Sequence, residues 1–178
     1  MTVGDSKTKS NLWQPGLVAH LTTDNPNCSW GYTNDGVNGA TVATTRLAID
    51  GYIASETFYQ SYVLINLGVN DMTSMPTETQ FKEDYQYIID AIKAEWPQIV
   101  IYMAKPWKRG FDTEADTVAG WIDSLITTNS GICFAGHDER VWLKWGADNG
   151  YTRTLDGIHY NTAGAAEAIN QWVTVFGY

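Results

Sequence analysis

Short apolar runs alternate along the chain with longer stretches whose apolar residues recur every three or four positions. The clearest run, Tyr62–Leu67, is almost continuously apolar, as a strand buried on both faces requires. Farther on, apolar side chains are spaced to fall on one face of a helix: Phe81, Tyr85, Ile88 and Ile92. This alternation predicts a parallel sheet flanked by helices.

The pattern predicts five strands and five helices. The strands are expected at Thr2–Gly4, Cys28–Tyr32, Tyr62–Leu67, Ile99–Ala104 and Ile132–Ala135. Helices are expected at Pro15–Leu21, Ala40–Ile53, Thr113–Thr127 and Thr162–Val175, with a fifth that begins at Thr77 and ends at Pro97. A chain of 178 residues is long enough for one core but short for two ordinary domains, so we expect residues 1–178 to form a single domain.

Four short segments carry the residue types that ester hydrolysis needs: Gly4–Ser6, Gly36–Thr41, Gly68–Asp71 and Asp156–His159. Each is weak alone, because Gly-Asp-Ser is an ordinary turn and a lone Asp-x-x-His is usually a surface loop. Together they supply a serine, hydrogen-bond donors for an oxyanion, and a histidine with a carboxylate partner. The predicted strands place the first and third segments at the carboxyl ends of strands, where open α/β sheets bind ligands.

In this order the four segments resemble those of the SGNH hydrolases, the GDSL-type esterases and lipases, from Gly4 to beyond His159. The resemblance implies a three-layer α/β/α sandwich around a five-stranded parallel, flavodoxin-like sheet. Two positions depart from the family pattern. Only Met1, Thr2 and Val3 precede the Gly-Asp-Ser turn, which suggests a chain cut from something longer. In addition, Lys7 stands where an apolar residue is more usual, on the leaving-group side of the site.

The resemblance also implies a role for each matching residue. Ser6 would be the nucleophile and His159 its general base, with Asp156 orienting the imidazole. The oxyanion hole would combine the backbone N–H groups of Ser6 and Gly39 with the side-chain amide of Asn70. The plainer alternative is that Asp156 caps a turn and His159 is a polar residue before the last helix.

Other residues compete for a place in the site. His137, beside Asp138, is a weaker candidate for the base, since adjacent side chains rarely point the same way. We expect it to contact substrate instead, together with aromatic residues of the rim loops: Trp107, Trp145 and Tyr160. Aromatic rings with polar tips suit the faces of sugars, although the same rings could pack the core.

The composition of the chain limits the classes of molecule that it is expected to bind. A net charge of −9 and a pI near 4.6 argue against nucleic acid and anionic membranes. No apolar run approaches the roughly 20 residues of a membrane span, and no signal segment is visible. The histidines lack metal-ligand spacing, so we expect neither metal nor cofactor. Cys28 and Cys133 fall in strands at opposite edges of the sheet and are expected to be free thiols.

These observations favour a serine esterase that removes acetyl groups from O-acetylated carbohydrate. Charged residues among the aromatic loops, such as Lys108 and Arg153, argue against the wide apolar rim of a lipase. Two alternatives remain: a general carboxylesterase or lipase, and a non-catalytic glycan-binding module that kept the same fold.

Overall fold

In the computed structural model, which describes residues 1–177, five parallel strands form one sheet in the order β2-β1-β3-β4-β5. The strands are β1 (Thr2–Gly4), β2 (Asn34–Gly36), β3 (Tyr62–Asn66), β4 (Val100–Lys105) and β5 (Cys133–Asp138). This is the flavodoxin-like order that was expected. The central strand β3 is the continuous apolar run of the sequence, and Val63, Leu64 and Ile65 are all buried.

Helices cover both faces of the sheet, giving the predicted α/β/α sandwich. They are α1 (Ser6–Lys9), α2 (Gln14–Asp24), α3 (Val42–Ser55), α4 (Asp71–Ser74), α5 (Glu78–Glu95), α6 (Asp112–Thr128), α7 (Trp145–Asp148) and α8 (Thr162–Val175). A π-helical segment, Arg140–Lys144, leads into α7. Helix α2 packs against α8, while α5 packs against α3 and α6. Across residues 1–177, no helix is both long and apolar enough to cross a membrane.

Most predicted elements are present with shifted ends. The strand Thr2–Gly4 and the helix Thr162–Val175 have the predicted bounds. The helix predicted from Thr77 is α5, and the Thr77 hydroxyl caps it by accepting the N–H of Gln80 at 3.2 Å. The helix ends at Glu95, before Pro97.

The predicted strand Cys28–Tyr32 is wrong. That segment is a loop, and its Trp30 side chain packs against Tyr62 and Phe176 at ring-centroid separations of 6.0 and 6.1 Å. The second strand is instead Asn34–Gly36, which pairs with β1 at the edge of the sheet. Its sequence lacks strand-forming residues, and tertiary packing decides its place.

The two cysteines lie in different environments. Cys28 is exposed in that loop, while Cys133 is buried in β5, and both thiols are free. Desolvation raises the pKa of Cys133 to about 12, so this thiol stays protonated and behaves as a small apolar side chain.

Candidate active site

The turn after β1 presents Ser6. Asp5 caps α1, because its Oδ1 accepts the N–H of Lys7 at 2.8 Å. Helix α1 therefore begins at Ser6, immediately beyond the carboxyl end of β1. Gly4 permits this turn, since a Cβ atom there would lie 2.1 Å from the Thr8 hydroxyl and 2.7 Å from the carbonyl oxygen of Asn66.

The loop before α8 presents His159. Asp156 shapes it: Oδ1 accepts the backbone N–H groups of Ile158 and His159 at 3.0 and 2.9 Å. An antiparallel bridge between Thr154 and Tyr160 closes the loop at its base. Gly157, at φ +90°, takes the left-handed conformation that the turn needs.

Ser6, His159 and Asp156 form a hydrogen-bonded chain. Asp156 Oδ2 lies 2.6 Å from His159 Nδ1, and His159 Nε2 lies 2.9 Å from Ser6 Oγ. Hydrogen bonds from the His159 backbone and side chain and from Ile158 lower the pKa of Asp156 to about 2. An ionised carboxylate only accepts hydrogen bonds, so the proton resides on Nδ1. Nε2 is left to accept the proton of the Ser6 hydroxyl.

Two further segments bring hydrogen-bond donors to Ser6. Gly39 lies in the loop after β2 and Asn70 follows β3, and both residues line the same surface depression as Ser6 and His159. Asn70 Nδ2 donates to the carbonyl oxygen of Ala40 at 2.9 Å, which fixes the amide and leaves its second N–H free to donate elsewhere.

Gly39 is required for its backbone conformation. No atom lies within 4 Å of a Cβ added at Gly39, but its φ of +73° is a left-handed conformation that favours glycine. Asp71 holds the two donor segments together, because its carboxylate accepts the N–H of Val42 at 3.2 and 3.3 Å from α4 across to α3.

A model of the GDSL-like lipase/acylhydrolase family matches residues 2–167. The chain belongs to this family. It is therefore a hydrolase, and the fold and the order of its four segments agree with that membership. No curated protein matches it in sequence.

Several solved structures share the fold of this GDSL-like hydrolase. The acetyl xylan esterase AlAXEase superposes with a TM-score of 0.83 at 17% identity, over 98% of this chain and 97% of that one. A carbohydrate esterase family 3 protein from Talaromyces cellulolyticus gives 0.72 at 17% identity, over 99% and 94%. TesA gives 0.78 at 14% identity, over 99% and 96%.

Three of the residues expected to contact substrate are buried in this GDSL-like chain. The Trp107 side chain is 3% exposed, and its indole N–H donates to Asp112 at 2.7 Å. His137 packs against Trp172, and its Nδ1 accepts the indole N–H of Trp142 at 3.3 Å. Tyr160, 2% exposed, points its hydroxyl inward. The depression that holds Ser6 is not lined by Trp107 or His137, so the predicted rim needs correction at these two positions, whereas Tyr160 does line it despite its burial.

His137 is also excluded from the role of base, because it contacts neighbouring aromatic rings while His159 contacts Ser6. Burial lowers its pKa to about 4, so it remains neutral. Of the four expected substrate contacts, Trp145 alone is exposed. Its ring stacks on Tyr151 at 5.5 Å, with the Arg153 guanidinium 5.6 Å from the ring.

Aliphatic side chains line the depression instead. Leu12 and Leu155 are 49% and 76% exposed, and Ile158 is partly buried beside them. We call these three residues the aliphatic rim. The sequence did not predict that these residues lie around Ser6, because each is in a loop where apolar residues show no regular spacing. Within the part of the chain that the structure describes, no three His, Cys, Asp or Glu side chains cluster as metal ligands would.

Asp5 lies fully buried beneath Ser6, and its Oδ2 atom has no hydrogen-bond partner. Desolvation raises the pKa of this carboxyl to about 6, against the opposing pull of Lys7. A carboxyl with a raised pKa favours folding when protonated, so its contribution to stability is lost as pH rises from about 4 to 6.

The Asp5→Asn variant keeps the helix-capping oxygen but does not ionise. Its free energy of unfolding, relative to that of the wild type, should therefore rise between pH 4 and pH 7 by up to about 3 kcal/mol. Urea unfolding of both proteins at pH 4.5 and 7.5 measures this. A stability difference that does not change with pH would contradict the buried ionisation of Asp5.

Proposed function

We propose that this hydrolase is a serine esterase that cleaves short acyl esters, with O-acetylated carbohydrate as its substrate class. The observation that carries the proposal is the chain from Ser6 Oγ to His159 Nε2 at 2.9 Å and from Nδ1 to Asp156 at 2.6 Å. A serine hydroxyl is a poor nucleophile at neutral pH and needs such a base, itself held by a carboxylate. A module that only bound glycans would have no use for this arrangement.

In the first half-reaction, Ser6 Oγ attacks the ester carbonyl carbon while His159 Nε2 takes the hydroxyl proton. The carbonyl oxygen becomes an oxyanion, and the N–H groups of Ser6 and Gly39 and the Asn70 amide donate hydrogen bonds to it. Asp156 stabilises the imidazolium through Nδ1. The carbon–oxygen bond to the alcohol then breaks, His159 protonates the leaving oxygen, and an acyl group remains on Ser6.

In the second half-reaction, water attacks the acyl carbon and gives one proton to His159. The same donors hold the new oxyanion. Collapse of this intermediate breaks the bond to Ser6 Oγ, which recovers its proton from His159, and the carboxylic acid leaves. No cofactor enters either half-reaction, because every proton transfer uses the same imidazole.

Two considerations support acetylated carbohydrate as the substrate. Fold relatives of similar length are described as an acetyl xylan esterase and a carbohydrate esterase, although at 17% identity they share only the fold. Secondly, the exposed Trp145 and Tyr151 rings, with Arg153 alongside, combine flat apolar faces with hydrogen-bond donors. This combination suits the face of a sugar ring that extends beyond the depression that holds Ser6.

The aliphatic rim favours a second candidate, a general carboxylesterase. Exposed Leu12 and Leu155 beside Ser6 offer apolar contact to an acyl chain, at about 0.8 kcal/mol per buried methylene. This observation opposes the expectation that the site lacks the wide apolar rim of a lipase. Acyl length therefore decides between the two candidates.

Ser6→Ala should abolish ester hydrolysis and covalent labelling by a fluorophosphonate without unfolding the protein, because the attacking hydroxyl is lost and the core is untouched. His159→Ala should lower kcat by at least about 10³-fold, since the base is lost. The exposed His20 and Ser55 provide controls: alanine at either position should leave turnover unchanged. Equal activity of Ser6→Ala and wild type would overturn the esterase proposal.

Acetate esters should be hydrolysed faster than octanoate esters if acetylated carbohydrate is the substrate. Trp145→Ala should then weaken hydrolysis of an acetylated xylan oligomer more than that of a small aryl acetate, whereas Phe58→Ala, at an exposed ring in the loop before β3, should affect neither. Specificity constants on the three substrates measure this. A higher specificity constant for octanoate than for acetate esters, with this advantage lost in Leu155→Ala, would favour the carboxylesterase candidate.

A further inference from the structure

A buried carboxylate lies beneath the proposed catalytic residues. Glu139, just beyond β5, is fully buried and accepts hydrogen bonds from Lys7 Nζ, the Tyr160 hydroxyl, the Trp107 backbone N–H at 2.8 Å and Asn66 Nδ2 at 3.3 Å. We call these five residues the Glu139 cluster. Isolated carboxylates are rarely buried, so an arrangement of four donors around one calls for an explanation.

The donors come from segments that are distant in sequence. Lys7 directly follows Ser6, and Tyr160 directly follows His159. Asn66 ends β3, and Trp107 lies in the loop after β4. Through Glu139, the segment carrying the nucleophile is therefore tied to the segment carrying the base, although the two are 153 residues apart.

The cluster contains one positive side chain, Lys7, and one negative side chain, Glu139. The Lys7 side chain is buried and forms an ion pair with Glu139. Burial raises the pKa of Glu139, but the Lys7 charge and the hydrogen bonds from Lys7 and Tyr160 more than offset this, and the pKa lies below its ordinary value. Glu139 is therefore ionised, and removing its ion-pair partner would leave an uncompensated buried charge.

Lys7 thus points into the protein, away from the substrate. Its charge was expected on the leaving-group side of the site, where an apolar residue is more usual. The ammonium group instead lies against Glu139 and 5.7 Å from the Tyr160 ring centre. Lys7, the residue after the proposed nucleophile, therefore links that segment to Glu139.

We propose that Glu139 is a positioning residue, which holds Lys7 and Tyr160, and through them Ser6 and His159, at hydrogen-bonding separation. The inference rests on the proposed esterase function. A shift of about 1 Å between nucleophile and base can cost about 10²-fold in rate, so a carboxylate that fixes their neighbours acts on turnover without touching substrate.

The test compares two buried carboxylates. Glu139→Gln cannot accept hydrogen bonds from all four donors, because Lys7 and Trp107 donate to Oε2, Tyr160 and Asn66 donate to Oε1, and an amide nitrogen replaces one of these oxygens. Asp84→Asn is the matched control: Asp84 is also buried and pairs with Arg46 at 2.5 Å, but between α5 and α3. Both variants should melt below wild type. Only Glu139→Gln should lower kcat, by about 10–100-fold with KM nearly unchanged.

A double variant separates positioning from stability. Lys7→Met combined with Glu139→Gln removes both charges of the ion pair, so the melting temperature should recover toward that of the wild type. The contact between the Lys7 and Glu139 side chains is still missing in this double variant, so kcat should remain low. Recovery of both quantities would show that the pair acts on stability alone and would overturn the proposal.

Tyr160→Phe provides a variant that keeps the fold, because it removes a single oxygen. It should lower kcat by about 3–10-fold at unchanged KM. If Glu139→Gln does not fold, Tyr160→Phe alone tests the positioning role of Glu139. Unchanged kcat in Tyr160→Phe, or equal kcat in the Glu139→Gln and Asp84→Asn variants, would remove the proposal while the wild type stays active. A wild type without esterase activity would remove the proposed function and the positioning role together.

Discussion

The hydrogen bond between His159 Nε2 and Ser6 Oγ joins two positions 153 residues apart, and the site depends on keeping it. A parallel sheet makes this possible, because the carboxyl ends of its strands meet at one edge regardless of their separation in sequence. β1 ends beside Ser6, β2 beside Gly39, β3 before Asn70, and β5 before Glu139. Each short loop then needs to carry only one or two functional groups.

Local polar contacts set the geometry within each loop. Asp156 accepts two backbone N–H groups of its own turn before it meets the imidazole, and Asp5 caps the helix that starts with Ser6. Asp71 links the segments that carry Gly39 and Asn70. These carboxylates act on the backbone, so the proposed oxyanion donors and the proposed base are held in place before any substrate arrives, as electrostatic preorganisation requires.

Sequence patterns predicted the elements that depend on local or periodic signals. The apolar run of β3 and the capped, periodic helix α5 are both present. The edge strand Asn34–Gly36 was missed because its place comes from pairing with β1, not from its own residues. Burial of Trp107, His137 and Tyr160 was missed because an aromatic ring suits a core as well as a rim. The pair of Lys7 and Glu139 joins positions 132 residues apart and has no sequence signature.

A crystal structure of the protein after reaction with a small alkyl fluorophosphonate tests the central claim most directly. The phosphorus should be bonded to Ser6 Oγ, with one phosphoryl oxygen within about 3 Å of the N–H groups of Ser6 and Gly39 and of Asn70 Nδ2. His159 Nε2 should remain within hydrogen-bonding distance of an oxygen on the adduct. An adduct on another side chain, or a phosphoryl oxygen pointing away from Gly39 and Asn70, would contradict the proposed active site.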